Sequence, residues 1–501
     1  MDGTGSQTSV VSTRSLPWPE LLQELLQSQA GFANDKEAPR VTALFAMPAA
    51  VTTRLVRAPS PGVPAPTRIR RPRVLRLAST RVASASSTAD PASALGVEYP
   101  ASAPGEGVRG RGLFHTGDAP DVPVVRTPID VTLCVPELVG PDAPAECADG
   151  VRAMYKAWSA SLDVDVPEPI VDFLCHAECP KDLRMAAALM WARRHVPRWR
   201  AYADDVMPAS YTSLYLATDA ELEALQDENV RRMAMGSKAN YAAGWEMIKT
   251  QHPRVADAID GAVDDQSPPA TQEEFDWARA TAHTRAMSGK VAGGPCAFIV
   301  PGVDLANHSF APNCEYGVSG DGGSFQLTWD TTATREMPKG PPLPESGDEV
   351  LICYGARMPN ALLMLHYGFM DPENPNEQLP MECMIPGARK IRAKTVSAAG
   401  RAFAEEGDTK AEWAARQMMQ MANPVDDSAD KAADLACIGA MRGAADAKLA
   451  SFPTTAEEDE VALSAGELGE RMRMCVEYRL SVKRNVEAFG RFLAKMEEVV
   501  E

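Results

Sequence analysis

Asp304, Asn307 and His308 fall within five positions of one another, shortly after the apolar run Phe298 to Val300. That spacing sets three polar side chains at the end of a buried strand, where orphan backbone groups and ligands are commonly met. A second stretch, residues 347–369, carries the short β run Val350-Leu351-Ile352 and ends it in Tyr354-Gly355. Thirteen residues after Tyr354, the pair Tyr367-Gly368 closes a helical run. A strand that delivers one tyrosine to a glycine turn, and a helix that delivers another, suggest two phenols lining one pocket. For an arbitrary pair of buried tyrosines the core is the commoner role. His308 lacks partner ligands at metal-binding spacing, so no metal is expected there.

The rest of the chain must position these groups. Its 501 residues are enough for two or three domains, each with an ample core. The composition is that of a soluble globular protein, and no apolar run approaches the length of a membrane span, so no membrane partner is expected. Ten cysteines without framework spacing point to free thiols in a reducing compartment. Cys175-His176-Ala177-Glu178-Cys179 has the look of half a zinc site, but no second pair matches it, and ordinary helix residues are the better reading. Residues 1–89 hold 11 Lys/Arg against 5 Asp/Glu, whereas the remaining 412 are acidic with a net charge of −24. So acidic a body repels polyphosphate, which excludes nucleic acid as the natural substrate and suits a basic protein or peptide.

From Ala38 to Ala89 there are nine arginines, many Ser, Ala and Pro, and no acidic residue, the composition of an organellar transit peptide. The run beginning Met47-Pro-Ala-Ala has the character of a transit-peptide start, so Met47 is the expected initiator; a disordered basic tail is the alternative. Ordered structure is expected from about Gly96. Gly107 to Phe114 reads as a glycine-rich turn entering a strand, where the backbone can approach a ligand closely. Val131 to Pro136 reads as a second strand. Residues 138–290 read as mostly helical, with apolar spacing at Leu183, Ala187, Met190 and Trp191, and a last helix ending in Thr284-Arg285. Strands are expected at 296–300, 315–318, 325–329 and 350–353, and a proline-rich surface loop at 339–347. Beyond about 386 the chain is helical. Met472, Cys475, Arg479, Val482, Val486, Phe489, Leu493, Met496 and Val500 follow 4-3 spacing, a stripe that docks on other helices; a homodimeric coiled coil is the lesser alternative.

With these residues in view, the chain resembles the SET-domain protein methyltransferases of the Rubisco large-subunit lysine methyltransferase type. The resemblance rests, in chain order, on Gly110 to Phe114, Thr284-Arg285, Asp304-Leu-Ala-Asn-His308 and Gly347 to Phe369, and then on Ser451 to Glu460 and Tyr478 to Lys483. It implies an α+β fold: a SET-domain β core of small curved sheets with a helical insertion, followed by an all-α C-terminal domain. The divisions are then a disordered N-terminal region with a transit peptide (1–95), a SET domain (96–385, insertion about 138–290) and an all-helical substrate-binding domain (386–501). Asn307-His308 and the later tyrosine segment are implied to meet through a threaded crossing.

The resemblance also implies S-adenosyl-L-methionine as cofactor and a lysine side chain of a protein as acceptor. Tyr354 is the implied catalytic residue, positioning the amine, with Tyr367 as the opposite wall of the channel. Gly110, Arg111, Gly112, Arg285, Asn307, His308 and Phe369 are the implied cofactor contacts, Arg285 through the carboxylate. Asp304 is implied near the substrate channel, with holding its own turn as the alternative. A non-histone substrate is favoured because no Cys-rich zinc segment follows Phe369. A plastid monomer is expected, with mitochondrion or cytoplasm as the other locations. Histidine N-methylation is the alternative within the family, and intact Tyr367 favours lysine over it. A non-catalytic binding module is the alternative outside enzymes. Departures from the family pattern are Thr284 for serine, Arg109 before the glycines, a long 339–347 loop and a short leading helix.

Overall fold

The computed structural model describes residues 90–501, apart from 118–121, 138–144, 177–178, 262–267, 331–344, 385–390, 408–409 and 422–430. The arginine-rich stretch with Met47, the position Glu178 and residues 339–344 of the proline-rich loop lie outside the described residues. Asp90 caps the one-turn helix α1 (Pro91–Ala94) by accepting from the Ala92 amide. Helix α1 is ordered because Ala92 and Leu95 are buried.

Strands β1 (Ser102–Gly107) and β2 (Gly110–His115) form an antiparallel hairpin turned at Val108-Arg109, and β3 (Val125–Pro128) and β4 (Leu133–Pro136) follow. Among the described residues the insertion comes next as α2 (Ala145–Leu162), α3 (Glu168–Leu174), α4 (Lys181–His195), α5 (Pro197–Asp205), α6 (Asp219–Ala224), α7 (Glu228–Gln251), α8 (Pro253–Asp260) and α9 (Gln272–Arg285). The sheets resume with β5 (Met287–Val291), β6 (Gly294–Ile299), β7 (Asn307–His308), β8 (Cys314–Val318), β9 (Ser324–Trp329) and β10 (Leu351–Ile352). Two three-stranded antiparallel sheets, ordered β3-β9-β8 and β4-β6-β5, flank the parallel two-residue ladder of β7 and β10. The fold is α+β, as expected.

The last insertion helix ends at Arg285, as read from the sequence, but Met287–Val291, counted within the mostly helical insertion to about 290, is a strand paired with β6. Ala292 and Gly293 both take positive φ, +46° and +79°, which is the backbone of a two-residue hairpin turn. Gly289 completes the preference, since a Cβ there would stand 2.7 Å from the Phe298 ring.

Within the insertion, α4 is buried on all sides from Leu183 to Ala192. Arg184 is held there by donating to the carbonyls of Cys179, Leu174 and Pro136. Helices α6 and α9 each begin in a reciprocal capping box, Thr218 with Glu221 and Thr271 with Glu274.

The C-terminal region consists of α10 (Asn360–Tyr367), α11 (Met381–Met384), α12 (Ala393–Glu405), α13 (Ala411–Met421), α14 (Lys431–Ser451), α15 (Ala456–Ala465) and α16 (Glu470–Val500). The expected apolar stripe of α16 is spent inside the chain. Val486, Phe489, Leu493, Met496 and Val500 join a core with Val396, Phe403, Met418, Ile438 and Met441. Its earlier turns, with Met474, Cys475, Tyr478 and Val482, pack on Leu222, Leu225, Met364 and Leu365. All ten cysteines are free thiols.

Candidate active site

The β7–β10 ladder is what gathers the candidate residues. Asn307 lies beside Leu351 and His308 beside Ile352, in parallel. Tyr354, two residues beyond β10, therefore arrives at His308, and its backbone N–H donates to His308 Nδ1 at 3.0 Å. The Tyr354 hydroxyl donates to Ala306 O at 2.9 Å, so the residue is tied to the Asn-His turn through both its backbone and its hydroxyl. Asn313 pins the same crossing, donating to Glu349 O and accepting from the Leu351 amide.

Tyr367 is brought in by the last turn of α10. Its ring centroid lies 4.9 Å from that of Tyr354. Gly368 ends the helix at φ +75°, its amide returning to the carbonyls of Leu363 and Met364. Phe369 then packs 5.7 Å from His308 and 6.2 Å from Tyr354. His308, Tyr354, Tyr367 and Phe369 thus form one aromatic group.

Burial pushes the Tyr354 phenol up to about 12 and raises that of Tyr367. Both hydroxyls are neutral hydrogen-bonding groups at neutral pH. Burial also lowers His308 to about 4, so its imidazole is uncharged. Because Nδ1 accepts from Tyr354, the proton resides on Nε2, a buried donor without a hydrogen-bond partner.

A second group meets the first from the β1–β2 hairpin. Asn307 Nδ2 donates to Arg111 O at 3.2 Å and to Glu349 Oε1 at 2.8 Å. Gly112 is required by this approach, since a Cβ there would lie 2.7 Å from Asn307 Nδ2. Gly110, at φ +83°, forms the turn and has open space where a Cβ would stand. The Arg111 side chain leaves the group and donates to Asp205 O at 2.9 Å. Arg109, in the hairpin turn, makes a 2.6 Å ion pair with Glu349.

Asp304 lies in the 302–306 turn. Its side chain is fully buried, accepting from Tyr202 Oη at 2.5 Å and from Arg285 Nη1 at 3.3 Å, and Arg285 also donates to Asp304 O at 2.8 Å. Tyr202 Oη accepts from the Gly302 amide as well. This is the turn-holding placement, in which Asp304 fixes the 302–306 turn and orients Arg285. Arg285 Nε is buried and has no partner.

Glu349, Tyr202 and Asn313 were not singled out from the sequence. Glu349 sits inside the Gly347 to Phe369 stretch, where its place beside Gly112 had no local signal. Tyr202 lies on an insertion helix 102 residues from its partner Asp304. Among the described residues no cluster of three His, Cys, Asp or Glu side chains could hold a metal ion.

Residues 388–484 match the family described as Rubisco LSMT substrate-binding. Protein Plastid Transcriptionally Active 14 of Arabidopsis thaliana is 26% identical over 68% of this chain and 71% of its own length. The chloroplastic ribulose-1,5 bisphosphate carboxylase/oxygenase large subunit N-methyltransferase of Nicotiana tabacum is 25% identical over 53% of this chain and 52% of its own. The enzyme of the same name from Pisum sativum is 28% identical over 35% and 33%. A crystal structure of the LSMT SET domain with lysine and AdoHcy superposes with a TM-score of 0.48 at 17% identity, covering 81% of this chain and 90% of that one. The chain is therefore similar to the chloroplastic Rubisco large subunit N-methyltransferases, and its residues 388–484 match the Rubisco LSMT substrate-binding family.

Proposed function

We propose that the protein is an S-adenosyl-L-methionine-dependent protein-lysine N-methyltransferase acting on a non-histone plastid protein. One observation carries this reading: Tyr354 is tied to the Asn-His turn, its hydroxyl donating to Ala306 O and its backbone N–H to His308 Nδ1, opposite Tyr367. The plastid assignment draws on the relatives named as plastid proteins and on the acid-free arginine-rich N-terminal stretch.

The residues present fit the cofactor. Arg285 Nε and His308 Nε2 are buried donors lacking acceptors, and such atoms are costly unless a ligand satisfies them. Gly110 leaves open space at the hairpin turn, where a Cβ would meet nothing. Arg285, its fork half engaged by Asp304, would take the carboxylate, and Asn307, His308 and Phe369 the remainder. When bound, S-adenosylmethionine supplies a sulfonium methyl for in-line displacement.

The chain's own groups prepare the acceptor. An unperturbed lysine near pKa 10.4 is mostly charged, but entry among buried rings strips its hydration and lowers that value. Neither phenol serves as a base, because burial holds Tyr354 at about 12. With its proton committed to Ala306 O, the Tyr354 oxygen keeps lone pairs free to accept from the amine N–H. That contact, with Tyr367 as the facing wall, aims the nitrogen lone pair and limits the methyl groups that fit. The acidic body suits a basic protein surface around the target.

The test uses the full chain. Calorimetry should find one S-adenosylmethionine site, and Tyr354→Phe should lose methyl transfer to a plastid extract about 100-fold or more while keeping cofactor affinity within about 2-fold. The relative matched over the most residues of those compared is not named for methyl transfer, so this measurement matters. No cofactor binding by the wild type would hand the function to a non-catalytic partner-binding module.

A further inference from the structure

Tyr367 is held from outside the SET-type sheets. Its neighbours His366 and Gly368 lie against the segment 211–213: Ser213 Oγ donates to His366 O at 3.2 Å and Thr212 Oγ1 to Gly368 O at 2.6 Å. Gly368 is pressed onto that segment so closely that a Cβ would meet Thr212 Oγ1 at 2.4 Å and the Ser213 amide nitrogen at 2.6 Å. The same segment reaches α9, where Tyr211 Oη and Thr281 Oγ1 are 2.9 Å apart, one turn before Arg285. Residues 211–213 therefore join the helix that carries Arg285 to the turn that carries Tyr367.

The segment is in turn gripped by one side chain of the substrate-binding domain. Arg471, in the first turn of α16, donates through Nη2 to Tyr211 O at 2.8 Å and through Nε to Thr212 O at 3.2 Å. Its Nη1 pairs with Glu221 at 3.1 Å. A cation at a helix N-terminus opposes the helix dipole, so the helix does not explain this arginine. The two carbonyls and Glu221 do, and a planar fork is what two adjacent carbonyls and a carboxylate require.

We propose that Arg471 is a positioning residue for the acceptor pocket, acting through residues 211–213 on Tyr367. It is the point at which the substrate-binding domain sets the pocket's far wall. Without the fork, Tyr211 O and Thr212 O lose their charged donor, the segment relaxes and the Tyr367 ring leaves its place against Tyr354. The cofactor side keeps its own support, because Arg285 and Asn307 are held by Asp304 and Glu349.

The inference rests on the methyltransferase reading, and the experiment separates the two. Calorimetry on the full chain measures S-adenosylmethionine, then free L-lysine with S-adenosylhomocysteine present, for wild type, Arg471→Ala, Arg471→Lys and Glu221→Gln. Glu221→Gln removes the ion pair but leaves both carbonyl bonds, so it controls for lost stability. The expected result is at least a tenfold loss of lysine affinity in Arg471→Ala, only partial recovery in Arg471→Lys, wild-type affinity in Glu221→Gln, and cofactor affinity within twofold throughout. Hydrogen exchange should quicken at residues 366–369 in Arg471→Ala alone. Arg471→Ala with the lysine affinity of Glu221→Gln would overturn the positioning role and leave the methyltransferase reading intact. A wild type that binds neither ligand overturns both.

Discussion

His308 is the residue whose environment makes the most specific demand. Its Nδ1 accepts the Tyr354 N–H, a bond that an imidazolium cannot make. Burial lowers its pKa from 6.5 to about 4. Between those two values the unfolded chain binds the proton and the folded chain does not, so stability rises with pH across that window and is flat above it. The full difference amounts to about 3 kcal/mol at one unit per 1.4 kcal/mol. His366, lowered by burial to about 3, adds in the same direction. Urea midpoints should therefore fall as pH drops below about 6.5 toward 4, and His308→Asn should lessen that slope, leaving the part due to His366; an unchanged slope in the variant would place the titration elsewhere. Asp304 shows the opposite logic at the same scale. Its burial raises its carboxyl despite Arg285, and it is kept because it holds two groups in place at once, Tyr202 and Arg285.

Among the elements, the C-terminal end of α10 is where one atom decides the most. Gly368 combines a left-handed φ of +75° with backbone contact to Ser213 N. Gly368→Ala must take both the strained conformation, about 1 kcal/mol, and a displacement of the 211–213 segment. Equilibrium unfolding should register a loss of about 2–4 kcal/mol, and adding Thr212→Ala should fail to restore it, because the Ser213 amide remains in the way. Full restoration would mean the threonine hydroxyl was the whole obstacle. The helices and strands around this point were largely legible. Apolar runs at 296–300, 325–329 and 350–353 are strands in place, and the apolar positions of the α16 stripe are buried from Cys475 to Val500. The aromatic site was legible too, as two tyrosine-glycine pairs at the ends of a strand and a helix. What joins the site was not. Tyr202 with Asp304, Glu349 with Asn307, and Arg471 with Tyr211 are pairings across long loops of chain, and no periodicity announces a partner at such a distance. The strand Met287–Val291 was missed for a local reason, since its glycine and lysine give no alternating apolar pattern.

At the scale of the molecule, α16 is the member that makes two packed regions one. Its 31 residues span about 46 Å at 1.5 Å per residue, the early turns packing on the insertion helix α6 and the later turns on α12, α13 and α14. Between them lies a buried charge cluster. Lys483 Nζ donates to Asp459 Oδ2 at 2.6 Å and to Thr454 Oγ1 at 2.8 Å, while Arg479 reaches Asp459 Oδ1 at 2.7 Å and Ala224 O at 2.9 Å. Arg479 is the polar break in the α16 stripe, and the break is explained by this tie to α6. The Asp459 side chain is fully buried, so a partner removed here leaves uncompensated charge rather than an exposed gap. Asp459→Asn strands two cations and should cost about 3–5 kcal/mol, the penalty typical of breaking a buried pair from one side. Lys483→Met added to it removes one stranded charge and should recover part of that loss, as apolar replacements of buried ion pairs commonly do. Because α16 crosses the junction, calorimetric unfolding of the wild type should be a single transition. Asp459→Asn should lower its midpoint, with the double variant between the two. Two well-separated transitions in the wild type would mean that the helical domain melts independently, and that α16 does not couple it to the site.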